Sequence, residues 1–339
     1  MFSNDGMQKT TGKKKAYITL FIVIILAVTA YSAYWFIASK EVKKVVLKSI
    51  EDQRKVGYQV EHYPIKISGY PYRFIVDIEK PSVIAPENQW SWQAEKVQLV
   101  MQSYNFSHYI GFAPGNHSLT TSKLGTITAD TDGLKASLKL KKGDVNQISI
   151  VANSLIATDE NNQTTRLDKP NLHIAPMPED QNDMRILVGF DFLQLPTPLP
   201  DVEFLGTDVG PVSAPIVIKK GMKLPDYEDF PTFASMENPQ IISPLTQIKW
   251  GTLDLKLKTK KLSLDYNNML KGELSLRLDD VQALENAMSG SPLFNEQSQM
   301  ALMAAKATFN NEETFMPIQF SDGQAKFLNQ KIADLEPIY

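Results

Sequence analysis

The chain has 339 residues, of which 43% are hydrophobic and 22% charged, with a formal net charge of -3 and no cysteine. This composition fits a folded protein with a substantial core and excludes wholesale disorder. The near-neutral balance lacks the basic field of a nucleic-acid binder. The missing cysteines exclude disulfides, thiol nucleophiles, thiolate zinc sites and cysteine-bound iron–sulfur clusters.

The first element is a membrane segment. Residues 1–15 read as a polar cytoplasmic tail. Residues 16–38, AYITLFIVIILAVTAYSAYWFIA, carry no charge over about 23 positions; at about 1.5 Å per residue they cross a hydrocarbon core of about 30 Å. Tyr17 lies near one end and Tyr34 and Trp35 near the other, where aromatic rings favour the interface. Lys9, Lys13, Lys14 and Lys15 precede the segment, and Lys40, Lys43, Lys44 and Lys48 follow it. The compact first cluster and the long domain behind it favour a cytoplasmic N-terminus and a single pass. Val28-Thr29-Ala30 resembles a signal-peptide cleavage site, but the apolar run continues through Ile37, which argues for a retained span.

Residues 39–56 predict an amphipathic juxtamembrane helix, with Val42, Val45, Val46 and Ile50 as its stripe and Gly57 as its stop. Residues 57–339 predict a mainly β domain on the far side of the membrane. Its alternating runs include Val56, Tyr58, Val60 and His62; Tyr72, Phe74, Val76 and Ile78; Val97, Leu99 and Met101; Leu134, Ala136, Leu138 and Leu140; and Ile148, Ile150 and Ala152. Later runs hold Leu253, Leu255 and Leu257; Leu262, Leu264 and Tyr266; and Leu274, Leu276 and Leu278. A period of two with one apolar face predicts an extended or curved antiparallel sheet. Asp132-Gly133, Gly143-Asp144, Asn267-Asn268 and Asp322-Gly323 supply turns. The proline-rich stretch 196–244 predicts loops with short elements, such as a strand at 216–219, within one domain or between two halves. Short helices are expected near Val281, Leu284 and Met288, begun by Asp279 or Asp280, and across residues 300–307.

Local chemistry is sparse. His62, His108, His117 and His173 have no metal-ligand spacing, and no phosphate loop, GxSxG or GxGxxG motif occurs. No catalytic residue, metal or cofactor is expected. Glu179, Asp180 and Asp183 form an acidic loop without the spacing of a calcium hand. Two features are candidates for binding. Gly69-Tyr70-Pro71-Tyr72-Arg73 makes either a structural corner or a recognition corner, in which Tyr70 and Tyr72 flank Arg73 and its guanidinium meets an anionic group such as a lipid phosphate. Trp90 and Trp92 share one strand face and either join the core or line a groove for an acyl chain.

A single membrane segment, a charged helix, the Ile67-Ser68-Gly69-Tyr70-Pro71-Tyr72-Arg73 motif, the Trp90 strand and Pro317-Ile318-Gln319-Phe320-Ser321-Asp322-Gly323 together resemble the bacterial domain of unknown function 2125 family. That resemblance covers residues 40–339 and implies an inner-membrane-anchored cell-envelope protein with its domain in the periplasm; it carries no established activity. The expected role is non-catalytic binding of a lipid or other apolar ligand. The alternative is a structural or assembly protein docking another envelope protein, and an envelope hydrolase is a minor third reading.

Overall fold

The computed structural model describes residues 9–265, 267–308, 314–327 and 330–338. Tyr266, in one of the expected strand runs, lies outside the described residues. The polypeptide opens with one helix, α1 (Lys9–Lys55), which runs through the boundaries expected at residues 15 and 38 without a break. Its segment from Lys15 is long and apolar enough to cross a membrane. Ile18, Phe21 and Leu26 there are exposed. From Trp35 onward the helix turns a stripe to the protein. Trp35, Ala38, Val42, Val46 and Ile50 pack on Ile65, Phe74, Val76 and Met101. Val45, expected in that stripe, is 61% exposed, because the stripe advances by three and four from Trp35 and passes it by.

Eight long strands follow, each broken once near its middle: β1 (Gln59–Glu61) with β2 (Lys66–Ser68), β3 (Arg73–Glu79) with β4 (Ser82–Ile84), β5 (Trp90–Ala94) with β6 (Lys96–Gln102), β7 (Asn105–Phe112) with β8 (Gly115–Thr121), β9 (Gly125–Asp132) with β10 (Lys135–Lys141), β11 (Asp144–Val151) with β12 (Ser154–Thr158), β13 (Thr164–Asp168) with β14 (Asn171–Pro176), and β15 (Met184–Phe190) with β16 (Phe192–Gln194). One half-ladder runs β2-β3-β6-β7-β10-β11-β14-β15. The other runs β1-β4-β5-β8-β9-β12-β13-β16. Both meet on β17 (Asp208–Ile218), which pairs with β16 through Val209 and with β15 through residues 212–218. The sheet then continues as a meander through β18 (Ile241–Trp250), β19 (Leu253–Leu264), β20 (Leu270–Leu278), β21 (Met316–Ser321), β22 (Gln324–Phe327) and β23 (Gln330–Asp334). Every pairing is antiparallel, so the mainly β expectation holds.

The breaks align in a column across the sheet. Pro81, Pro114, Pro170 and Pro211 fall in it, and so do the positive-φ residues Lys80, Gly133, Lys169 and Gly210. Gly210 is required there: its φ is +126°, and a Cβ would lie 2.6 Å from the Asp191 carbonyl oxygen. Pairing survives through bonds such as Lys80 N–H to the Glu95 carbonyl (2.9 Å) and Asp191 N–H to the Asp168 carbonyl (3.0 Å). An inserted residue bends a strand and shifts its alternation by one. The cross-paired apolar set is accordingly even-numbered in β3, β10, β11, β14 and β15 but odd-numbered in β4, β9, β12, β13 and β16, while Ile75, Leu187, Ile84, Ile156 and Phe192 stand on the other face. The shift keeps both sets on one side of the sheet. Val209 pairs with Trp250 and Val212 with Ile248. Trp250 and Ile248 lie two apart where β18 pairs regularly with β19, so all four share a face.

The proline-rich stretch is more regular than expected. Pro211 and Pro215 lie inside the 11-residue β17, and Pro244 lies inside β18. The registers of β17 and β18 slip between Val209 and Val212, between Ser213 and Val217, and between Ser243 and Thr246, which brackets each proline. A proline at a bulge removes no ladder bond, so the strands persist. A short helix, α2 (Phe230–Glu237), fills the connection and is capped by Asp229 accepting from Thr232 N–H. At its end the Glu237 carboxylate accepts from Lys223 Nζ (2.9 Å) and Tyr227 OH (2.8 Å), with Lys220 Nζ also 3.0 Å away. The Lys223 ammonium first, then Tyr227 and Lys220, hold its pKa at about 2 instead of 4.5. A depressed carboxylate stabilises the fold fully above pH 4.5, and that contribution disappears as pH falls through about 2. In Glu237→Gln, the acid limb of a melting-temperature profile should flatten over this window. An unchanged limb would show that the cluster does not contribute.

The last helices are α3 (Val281–Met288), capped by Asp280, and α4 (Glu296–Thr308). They bury Val281, Leu284, Leu302 and Ala305 against Leu205, Met316 and the half-buried Trp250, Leu253, Leu276 and Leu278.

Candidate functional site

Between those helix-covered ends the sheet is one layer deep. The accessible surface is 21995 Å², against about 14000 Å² for a compact chain of this mass. The projecting half of α1 and the single-layer sheet both add to it, and part of the sheet's contribution is an apolar face that nothing in the fold covers. Cross-strand pairing sets Leu138, Ile148, Ile174, Ile186 and Ile216 in one row over five adjacent strands. Beside it run Ala136, Ile150, Leu172, Val188 and Ala214. Across the column of breaks, Leu155, Leu167, Leu193, Val209 and Trp250 form a third row on the same face. No side chain of the first two rows is buried, and Ile150 and Val188 are 39% and 40% exposed, whereas the third row runs under cover at its end, where Val209 is buried and Trp250 packs against the α3–α4 cluster. At about 4.8 Å between strands, each row is about 19 Å long. Beneath it, the opposite face of β10 is polar, with Lys135, Ser137 and Lys139.

Trp92 lies on the open face, paired with Val83 and Leu119, and its ring stacks 6.0 Å from His117. Trp90 is on the same side at the strand end, 6.0 Å from the Tyr58 ring. Tyr70, Tyr72 and Arg73 stand at the far end of the long strand β3–β4, so the structure does not bring them together with the tryptophans. They form a corner that grips α1. Gly69, at φ +99°, starts it, since a Cβ would lie 2.7 Å from the Arg73 carbonyl oxygen. Tyr70 stacks on Phe36 (5.9 Å) and meets Trp35 edge-on (5.5 Å). Tyr72 and Arg73 point to solvent. The β6–β7 turn completes the grip: Ser103 is fully buried and its Oγ is 2.8 Å from Tyr31 OH. Ser103→Ala is expected to cost about 1 to 3 kcal/mol, because it strips a buried hydrogen bond. Denaturant unfolding measures this, and a neutral result would show that the turn does not hold the helix.

Sequence reasoning found Leu138 and Ile148 as strand residues but passed over Leu172, Ile174, Ile186 and Val188. Their signal was present as alternation in residues 171–176 and 184–190. The histidines remain scattered. His62, expected within an alternating strand, follows the end of β1, and its Nδ1 is 2.7 Å from the Tyr63 carbonyl. His108 Nε2 is 3.0 Å from Ser137 Oγ on the polar face, but among the described residues no carboxylate bonds the other ring nitrogen, as an oriented nucleophile–base pair requires. Asp183 is claimed by Lys219 Nζ (2.5 Å) and the Lys220 amide (2.9 Å). Burial pushes its carboxyl up, and these two donors outweigh burial and hold it below its ordinary value. Among the described residues no cluster of metal-binding side chains occurs. A cleft of about 830 Å³ lies apart from the apolar rows, lined by Ser235, Lys261, Asp265 and Lys271 among others.

The chain thus joins a long apolar helix to a single-layer antiparallel sheet that leaves an apolar face open. The chain belongs to the family described as an uncharacterized protein conserved in bacteria, DUF2125, whose model matches residues 35–328. No curated protein and no solved structure matches it significantly.

Proposed function

We propose that this is a single-pass inner-membrane protein, N-terminus in the cytoplasm, whose periplasmic sheet holds the acyl chain of a membrane lipid without catalysis. The observation that carries this reading is the row Leu138–Ile148–Ile174–Ile186–Ile216, apolar across five strands and uncovered. Soluble domains rarely leave a contiguous apolar patch of more than a few hundred Å² unless something binds there. An acyl chain fits such a face because it needs no hydrogen bonds and no fixed register. The lysine flank and uncharged length of 16–38 support the orientation.

The test uses the full chain purified in a non-lipid detergent and analysed by native mass spectrometry. A retained lipid of one or a few acyl classes is the expected result. A protein that carries only detergent, and takes up no lipid from phosphatidylethanolamine vesicles, would sink the proposal. Specific crosslinking of the same face to an apolar segment of another protein would favour the assembly reading instead.

A further inference from the structure

We infer that the β2–β3 and β6–β7 turns sit in the interfacial layer of the bilayer that α1 crosses, so that the open face begins at lipid rather than across water. This rests on α1 spanning the membrane and not on lipid occupying the face. Four hydrogen-bonded contacts fix the turns to the helix. Tyr31 OH donates to the Pro71 carbonyl (2.8 Å), Ser32 Oγ is 2.7 Å from Tyr70 OH, Tyr34 OH donates to the Ser103 carbonyl (2.8 Å), and Trp35 Nε1 donates to the Arg73 carbonyl (3.2 Å). All four helix residues belong to the uncharged run 16–38. A hydrocarbon core takes about 20 helical residues, which counted from Ala16 ends at about residue 35. Sliding the span toward the N-terminus to clear the turns would draw Lys13, Lys14 and Lys15 into hydrocarbon, which is unfavourable. The turns are therefore held at the boundary itself.

Their outward residues suit that place. Tyr72 is 74% exposed and Tyr104 70%, and rings with a polar tip partition to the headgroup level. Arg73 is exposed and forms no ion pair among the described residues, so its guanidinium is available to a lipid phosphate. Phe106, 44% exposed, stacks 6.0 Å from Phe74, whose neighbours lead through Tyr109 to Leu138 on the open face.

The chain contains no cysteine, so Tyr72→Cys, Tyr104→Cys and Lys123→Cys each give one labelling site. Lys123 is exposed in the β8–β9 turn, at the opposite end of the strands. Each full-length variant carries a nitrobenzoxadiazole label in nanodiscs of phosphatidylethanolamine and phosphatidylglycerol, and reduction by aqueous dithionite is timed. Labels at 72 and 104 should be reduced several-fold more slowly than at 123 and be quenched by headgroup-level nitroxide lipids. A rate at either position equal to that at 123 overturns the inference. Lipid retention by the face is a separate readout, so failure of one reading leaves the other standing.

Discussion

Ile186→Lys is expected to empty the sheet face of lipid while leaving the protein folded. Ile186 sits at the middle of the uncovered region, opposite Ile174 on one side and Ile216 on the other. A bound chain crossing that row would bury the new ammonium with no acceptor on the apolar side. Such burial costs about 3 kcal/mol, which lowers affinity about a hundredfold. Ile174→Asp should act the same way with the opposite charge, which separates desolvation from attraction to a headgroup. Both positions are half-buried and no helix lies over them, so the fold loses only about 1 kcal/mol of strand propensity and cross-strand packing. Native mass spectrometry of the variants reads the loss. Wild-type lipid occupancy in both variants, with unchanged melting, would mean that any bound lipid lies elsewhere.

Phe74→Ala tests the covered end. Phe74 is fully buried, its ring stacked 5.3 Å from Trp35 at 28° and 6.0 Å from Phe106. Removing it leaves a cavity between helix and sheet, and a Phe→Ala change in a packed core costs about 3 to 5 kcal/mol. Urea unfolding followed by tryptophan fluorescence should show this as an early transition. A loss below about 1 kcal/mol would mean that α1 does not pack on the sheet as described.

The contrast between these substitutions marks what could be read from sequence. Alternation at Phe74, Val76 and Ile78 announced one strand, and the same period in Ala136 and Leu138 and in Ile148 and Ile150 announced two more, yet the first set is covered and the others are open. Periodicity reports which residues share a face, not what lies against it. The column of breaks was also partly legible. Apolar positions pass from even to odd between Ile78 and Val83 and back between Leu167 and Leu172, each time across a Lys-Pro pair. Those prolines read as strand ends when taken singly. Only when neighbouring strands are aligned do they become one line of bulges. Pro211, Pro215 and Pro244 misled for a related reason: a donor lost at a bulge is not missed, so their strands run on. Tyr70 and Arg73 were singled out together, but their roles diverge. Ring stacking on Phe36 commits Tyr70 to α1, a contact 34 residues away in sequence that no local pattern encodes.

Trp35, Val42, Val46 and Ile50 belong at once to the anchoring helix and to the packed interior. No swivel therefore separates the two. For a membrane-spanning α1, any tilt or rotation of the helix would carry the sheet with it as one body. A fragment cut after Ile50 would uncover Phe74 and Val76 and should precipitate, so solubility trials need a start before Trp35.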